Sequence, residues 1–175
     1  HQPRVEFTEL TEQPHFYGVA ALEGLQGEAT VLDGQLVATR VDARGRLQPI
    51  EKPQAPKATM LVGGYVDSWR TLSVNANVDS RAFDKQLEQA AKTAGVDVDK
   101  PFLFVLEGNF TDVQFHVING ACPIRARMKK ETLPDKLLPY EADLEKVSGK
   151  VVGVFAKDSV GKLTHPATST HMHLI

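Results

Sequence analysis

The sequence predicts an α+β fold dominated by mixed or antiparallel β-sheet, with few helices. Its clearest signal is the dipeptide Asp33-Gly34, which separates two apolar, strand-length runs at residues 27–32 and 35–40. Both central residues of a two-residue type I′ turn need positive φ, and Asp-Gly is a preferred pair there. The two runs are therefore predicted to form an antiparallel hairpin.

Further strand-length runs recur along the chain between turn-forming residues. They lie at residues 60–62, 71–74, 101–107, 110–118, 151–155 and 168–175. Gly108-Asn109 is predicted to turn the chain between two of these strands. The proline-bearing residues 49–56 cannot form a central strand, and the basic, proline-containing residues 123–140 are predicted to be a surface connection.

One helix is predicted, over residues 81–94. Ser80 is a suitable N-cap, and Gly95 supplies the C-terminal stop. The apolar stripe of this segment comprises Phe83, Leu87, Ala90, Ala91 and Ala94. This stripe predicts that the helix packs its Phe83 and Leu87 face onto the sheet.

The length of 175 residues suits one domain with a sizeable core. Residues 1–14 are polar and irregular, which predicts an N-terminal arm, whereas residues 15–175 carry the strand pattern. A weak internal similarity leaves open a division of that domain into two related, packed halves, at about residues 15–120 and 121–175, the second incomplete.

The composition argues against several classes of function. With a formal net charge of −2 and no basic stripe, nucleic acid is not an expected partner. No apolar run approaches the roughly 20 residues that span a bilayer, so a soluble protein without membrane contact is predicted. Cys122 is the only cysteine, which excludes an internal disulfide and a thiolate-rich zinc cluster. The start at His1 slightly favours a secreted or periplasmic location after processing, although a residue left by a tag would look the same.

The last predicted strand carries His171 and His173, with Met172 between them. Alternate side chains of a strand point to the same face, so the two imidazoles can be directed at one point. Two such histidines are half of a zinc site, and a catalytic site adds a third protein ligand and an open position. The alternative is that both are polar residues on the exposed face of an edge strand.

Several motifs, taken together in their order along the chain, resemble the α-acetolactate decarboxylase family. They are Gly18-Val19-Ala20, residues 25–28 with Leu32-Asp33-Gly34, the Phe83 helix, residues 102–104 to Phe110, Val113-Gln114, residues 148–153 and His171-Met172-His173. Order and approximate spacing match over about residues 15–175. The resemblance implies an α+β zinc enzyme built from two related halves around a large sheet.

The resemblance also implies a reaction and its cofactor. The substrate would be a 2-hydroxy-3-oxo acid, 2-acetolactate, and the products acetoin and CO₂. Zn²⁺, or another divalent metal, would stabilise the negative charge that develops as the carboxylate departs. His171 and His173 match the family's metal ligands, and Glu28 matches an active-site glutamate that can handle a proton. The sequence is also compatible with a homodimer.

The family has an arginine at the position of His116, where a guanidinium can hold a carboxylate through two hydrogen bonds. His116 shares a predicted strand face with Gln114 and is expected to point into the same pocket as a catalytic-site residue. Arg125 or Arg127 could supply the positive charge instead, or both are solvated loop residues.

The family's third histidine ligand and second glutamate correspond to positions beyond Ile175. Within this chain, His116, His165 and His1 are the candidates for a third ligand. His165 precedes Pro166, which is also typical of a purely structural turn.

Two other functions are open at the level of sequence. With His116 replacing arginine, water activated by zinc could hydrolyse an ester or lactone, with Glu28 as base. Alternatively, the chain is a metal-binding or ligand-binding module on the same scaffold, without catalytic activity.

Overall fold

The structure is a computed structural model of the 175-residue chain, and it describes residues 2, 4–11, 14–51, 56–74 and 77–175. The strands in these residues are β1 (Val5–Glu6), β2 (Phe16–Leu22), β3 (Glu28–Leu32), β4 (Gln35–Val41), β5 (Leu47–Pro49), β6 (Lys57–Tyr65), β7 (Phe102–Val117), β8 (Tyr140–Phe155) and β9 (Thr170–Leu174). The helices are α1 (Thr8–Thr11), α2 (Phe83–Thr93) and α3 (Pro123–Lys129). Across this described part of the chain, no helix is long and apolar enough to cross a membrane.

The strands form two antiparallel sheets, which confirms the predicted α+β class. The first sheet has six strands in the order β1-β6-β2-β3-β4-β5, and the second has three in the order β7-β8-β9. The large antiparallel sheet that was predicted is divided into these two sheets. A boundary between two halves near residue 120 would separate β7 from β8, although these strands pair with each other. The division of the domain into two halves stays a prediction.

The hairpin predicted at Asp33-Gly34 is confirmed. It joins β3 to β4 and pairs Leu32 with Gln35. The φ angles of Asp33 and Gly34 are +51° and +76°, the left-handed values that a type I′ turn requires.

The turn predicted at Gly108-Asn109 is wrong. Both residues lie inside β7, where Gly108 pairs with Gly149 and Asn109 pairs with Ser148 of β8. The partner strand comes from much later in the chain, so local turn chemistry did not reveal it. These residues are exposed, which makes a polar Gly-Asn pair tolerable within a strand.

Two other predictions of local structure are also wrong. Residues 71–74 form no strand, and the surface connection predicted at 123–140 contains α3. Pro123 occupies the first turn of α3, where its missing N–H costs nothing, and Lys130 ends the helix in the left-handed conformation. A proline that starts a helix was thus taken only as a mark of a surface connection.

The N-terminal segment is not the irregular arm predicted for residues 1–14, at least over its described residues 4–11. Val5 and Glu6 pair with β6 as an edge strand. Phe7 has no exposed surface and packs among the buried side chains of the first sheet. An isolated aromatic residue in a polar stretch thus proves to be a core residue.

Helix α2 confirms the predicted helix with slightly shorter bounds. Asp79 closes the turn that precedes it, where its Oδ1 accepts hydrogen bonds from the backbone N–H groups of Arg81 and Ala82. No side chain of the described residues caps the helix itself, so the N-cap predicted at Ser80 is wrong. As expected, Phe83 and Leu87 pack on the second sheet.

The two sheets pack face to face, and this packing positions the candidate functional site. Tyr17 and Val19 of β2 meet Val152 of β8 between the sheets. A second core, which includes Phe7 and Val31, lies on the opposite face of the first sheet. Helix α2 covers the outer face of the second sheet.

Replacing Phe7 with alanine tests the integration of the N-terminal segment. Because the ring is fully buried, Phe7→Ala should lower the free energy of unfolding by about 3–5 kcal/mol in urea titrations. Met128→Ala is the control, because Met128 is 58% exposed and should change stability by about 0.5 kcal/mol or less. Equal effects of the two substitutions would contradict the packing of Phe7.

Candidate functional site

Strand β9 brings the two histidines of the His-x-His motif to the interface between the sheets. β9 lies at the edge of the second sheet, where His171 pairs with Val154 and His173 pairs with Val152. Met172 points to the other side and is 43% exposed. The ring centroids of His171 and His173 lie 5.1 Å apart.

Strand β3 supplies the opposite side of the site. Alternation along β3 directs Glu28 and Thr30 toward the second sheet, while Ala29 and Val31 enter the other core. Thr30 Oγ1 is 3.1 Å from Nδ1 of His173, and Glu28 Oε2 is 3.8 Å from Nε2 of His173. The site is thus assembled by the packing of one sheet on the other.

Gly27 fixes the position at which Glu28 enters β3. Its φ of +112° lies in the region that only glycine adopts without strain, and a Cβ there would be 2.3 Å from the carbonyl oxygen of Thr39. The Gly27 carbonyl accepts a hydrogen bond from the Leu22 N–H, which closes the turn before β3. This backbone requirement explains the Gly-Glu pair seen in the sequence.

Two further histidines extend the pair into what we call the histidine row: His116, His165, His171 and His173. His165 lies in the loop before β9, with its ring centroid 4.4 Å from that of His171. His116 lies on β7, with its ring centroid 6.1 Å from that of His165. His15 is outside the row, beside Asp33, and His1 lies outside the described residues.

Burial keeps Glu28 protonated. Its side chain is only 17% exposed. Desolvation raises the pKa of Glu28 to about 8, although the backbone N–H of Ile118 partly opposes this rise. At neutral pH the close approach of Glu28 to His173 therefore joins a carboxylic acid to a neutral imidazole, and is not an ion pair.

Burial also favours the neutral form of every imidazole in the histidine row. Desolvation lowers the pKa of His165 and of His173 to about 4. It lowers the pKa of His116 and, more strongly, that of His171, which neighbouring imidazoles lower further. Neutral imidazole is the form that binds metal ions.

Helix α3 places two arginines near one end of the histidine row. Arg127 forms an ion pair with Glu141, which is the strand partner of His116. Arg125 donates a hydrogen bond to the carbonyl of Gly161, in the loop that leads to His165. Both arginines are exposed, and Arg127 already has a carboxylate partner.

The donor groups of the site fit a zinc ion in type, and the imidazoles of His171 and His173 fit it also in spacing. Imidazole nitrogen and carboxylate oxygen are usual zinc ligands. Two imidazoles that bind one zinc at about 2.0–2.1 Å have ring centroids about 5 Å apart, and the 5.1 Å separation of His171 and His173 matches this. Among the described residues, no three His, Cys, Asp or Glu side chains are already arranged to hold a metal ion. Binding would therefore require rotation of the side chains.

Of the four residues that the sequence analysis proposed for the site, the structure brings together Glu28, His171 and His173, and it places His116 at the other end of the histidine row, beside His165. It adds Thr30, which carries no sequence signal beyond its spacing of two from Glu28. It also places His165 against His171, although the sequence before Pro166 favoured a structural role in a turn.

Comparison with known proteins identifies the family. The family model for alpha-acetolactate decarboxylase matches residues 2–175. The chain belongs to the alpha-acetolactate decarboxylase family, as its motifs predicted. A comparison with curated protein sequences found no match.

Solved structures show the same fold at low sequence identity. Alpha-acetolactate decarboxylase from Bacillus subtilis strain 168 is 14% identical, with a TM-score of 0.65. A Staphylococcus aureus protein described as similar to alpha-acetolactate decarboxylase is 14% identical, with a TM-score of 0.67. Acetolactate decarboxylase from Bacillus subtilis subspecies spizizenii is 15% identical, with a TM-score of 0.66. Each match covers 99% of this chain and 68% of the other.

Replacing Thr30 with valine tests the contact between the sheets. Thr30 is 4% exposed, and Thr30→Val keeps its shape but removes the hydrogen bond to His173. We expect the free energy of unfolding to fall by about 1–2 kcal/mol, because a buried polar group loses its partner. Thr111→Val, at an exposed position of β7, is the matched control in the same urea titration. A loss no larger than that of the control would argue against the contact.

Proposed function

We propose that this protein is a zinc-dependent decarboxylase that converts 2-acetolactate, a 2-hydroxy-3-oxo acid, to acetoin and CO₂. The observation that carries the proposal is the meeting of neutral imidazoles on β9 with the protonated carboxyl of Glu28 on β3. A metal-ligating pair and a proton donor in one buried place suit this reaction. The family match over residues 2–175 supports the same reaction class.

His171 and His173 would hold the zinc ion. Bound zinc would act as a Lewis acid on the substrate oxygens and stabilise negative charge as CO₂ leaves. Thr30 contributes by fixing the orientation of His173. When Nδ1–H of His173 donates to the Thr30 hydroxyl, Nε2 is left with its lone pair free and directed toward Glu28.

Glu28 would supply the proton that the reaction consumes. Breaking the bond to the carboxylate leaves an electron pair on the substrate carbon, and that carbon must be protonated to give acetoin. In the absence of a metal ion, a carboxyl group with a pKa of about 8 carries this proton at neutral pH. A bound cation would lower that pKa and so make proton release easier.

His116 would face the substrate carboxylate in place of an arginine. A neutral imidazole offers one N–H donor, whereas a guanidinium offers a charged, two-point contact. The lowered pKa of His116 means that it brings no positive charge at neutral pH. We therefore expect weaker binding of the substrate anion than an arginine would give.

Removing both proposed ligands tests the metal site. His171→Ala with His173→Ala should abolish stoichiometric zinc binding, because two of the imidazole donors are lost. The zinc content of the dialysed protein is measured by inductively coupled plasma mass spectrometry. Circular dichroism checks that the fold remains. His15→Ala is the control, since His15 is exposed beside Asp33 and away from the site. One zinc per chain in the double variant would exclude these residues as ligands.

Replacing Glu28 with glutamine tests the proton donor. Glu28→Gln keeps the shape but cannot transfer a proton, so CO₂ release from racemic 2-acetolactate should fall by about 10²–10⁴-fold with unchanged zinc content. Glu23→Gln, at a nearby exposed position, should leave the rate unaltered.

The same assay decides whether the chain is a decarboxylase. Release of CO₂ that stops on addition of a chelator supports the proposal. A zinc-loaded protein that releases no CO₂ would overturn it, and turnover of activated esters by that protein would then favour hydrolysis.

A further inference from the structure

The carboxylate of Asp84 reaches from α2 to the chain immediately before His171. Oδ2 of Asp84 accepts a hydrogen bond of 2.6 Å from the backbone N–H of Ser169. Oδ1 accepts a hydrogen bond of 2.7 Å from the hydroxyl of Thr170. Both bonds are part-buried, and they join residues that are 85 and 86 positions apart. A charged acceptor makes each bond stronger than a neutral pair would.

Asp84 is itself held in place by a packed helix. It occupies the first turn of α2, where the helix dipole favours a negative charge. Its neighbours Phe83 and Leu87 pack against Phe104 and Phe155 of the second sheet. The carboxylate is therefore a fixed point on the outer face of the sheet that carries the histidines.

Hydrogen bonds of the loop extend this fixed point to His165. The Thr164 hydroxyl donates to the carbonyl of Thr168, and the Thr168 hydroxyl donates to the carbonyl of Thr170, both at 2.7 Å. The Ala156 N–H donates to the Ser169 carbonyl at 2.8 Å. The loop that carries His165 and the start of β9 are thus joined by hydrogen bonds, and Asp84 links both of them to α2.

We infer that Asp84 is a positioning residue for the metal-binding histidines, because it holds His171 and the loop of His165 at their separation. Asp84 touches neither imidazole and acts only through residues 169 and 170. The inference rests on the proposed function, since it assigns Asp84 a role in the site proposed there. Residues that hydrogen-bond directly to a metal ligand typically change metal affinity by 10–100-fold when they are replaced, and Asp84, which acts one residue further away, is expected at the lower end of that range.

A matched pair of variants on the same helix separates positioning from stability. Asp84→Asn turns one of the two acceptors into a donor, which faces the Ser169 N–H or the Thr170 hydroxyl. Asp79→Asn also removes a negative charge near the start of α2 but leaves β9 alone, because the Asp79 side chain bonds only to Arg81 and Ala82 among the described residues. Both variants should lower the melting temperature, so stability alone does not distinguish them.

Zinc affinity is the first measurement, made by competition with a chromophoric chelator. We expect the zinc dissociation constant of Asp84→Asn to rise at least about tenfold, while that of Asp79→Asn stays within about twofold of the unsubstituted protein. Asp84→Ala, which removes both acceptors, should give a loss at least as large. Equal shifts in the Asp84→Asn and Asp79→Asn proteins would overturn the inference.

Hydrogen exchange in the metal-free protein is the second measurement, and it separates failure of this inference from failure of the proposed function. The backbone amides of residues 169–171 should exchange faster in Asp84→Asn only. If the unsubstituted protein binds no zinc, the proposed function is wrong. Faster exchange confined to Asp84→Asn would still show, in that case, that Asp84 positions this strand. Unchanged exchange at these amides would overturn the inference whatever the zinc result.

Discussion

The packing of the two sheets through Val19 and Val152 is the constraint on which the site depends. Each sheet has two faces, and side chains alternate between them along a strand. Val19 pairs with Thr30, and Val152 pairs with His173, so each pair shares one face of its sheet. Once Val19 and Val152 face each other, Thr30 and His173 must therefore enter the same interface, and Glu28 follows because it lies two residues from Thr30. A shift of one residue in either strand would send these side chains to opposite faces. The chemistry of the site is thus a consequence of strand register.

Local signals in the sequence predicted the features that need only local chemistry. Asp33-Gly34 is a turn because its positive φ angles are needed there, and the periodicity of α2 predicted its packed face. Gly108-Asn109 has the same kind of composition, yet pairing with β8 overrides it. Tertiary partners decide such cases, and one sequence does not display them.

The sequence also predicted only those features of the site that do not depend on how the two sheets pack. The spacing of His171 and His173 implies a common face on any strand, and the family resemblance pointed to Glu28 and His116. Nothing local indicates that Thr30 meets His173, since that contact depends on how the sheets pack. The proximity of His165 to His171 likewise depends on a loop whose course is set by distant hydrogen bonds.

The hydrogen bond between Thr30 and His173 spans 143 positions, and this separation bears on how the protein acquires its site. Contacts so distant along the chain require a large loss of chain entropy before they form. The first sheet draws on residues before 66, whereas β9 begins at residue 170. A nascent chain could therefore complete the first sheet, with Glu28 already in its strand, long before β9 has been synthesised. The site is a property of the finished fold, and no early folding intermediate would possess it.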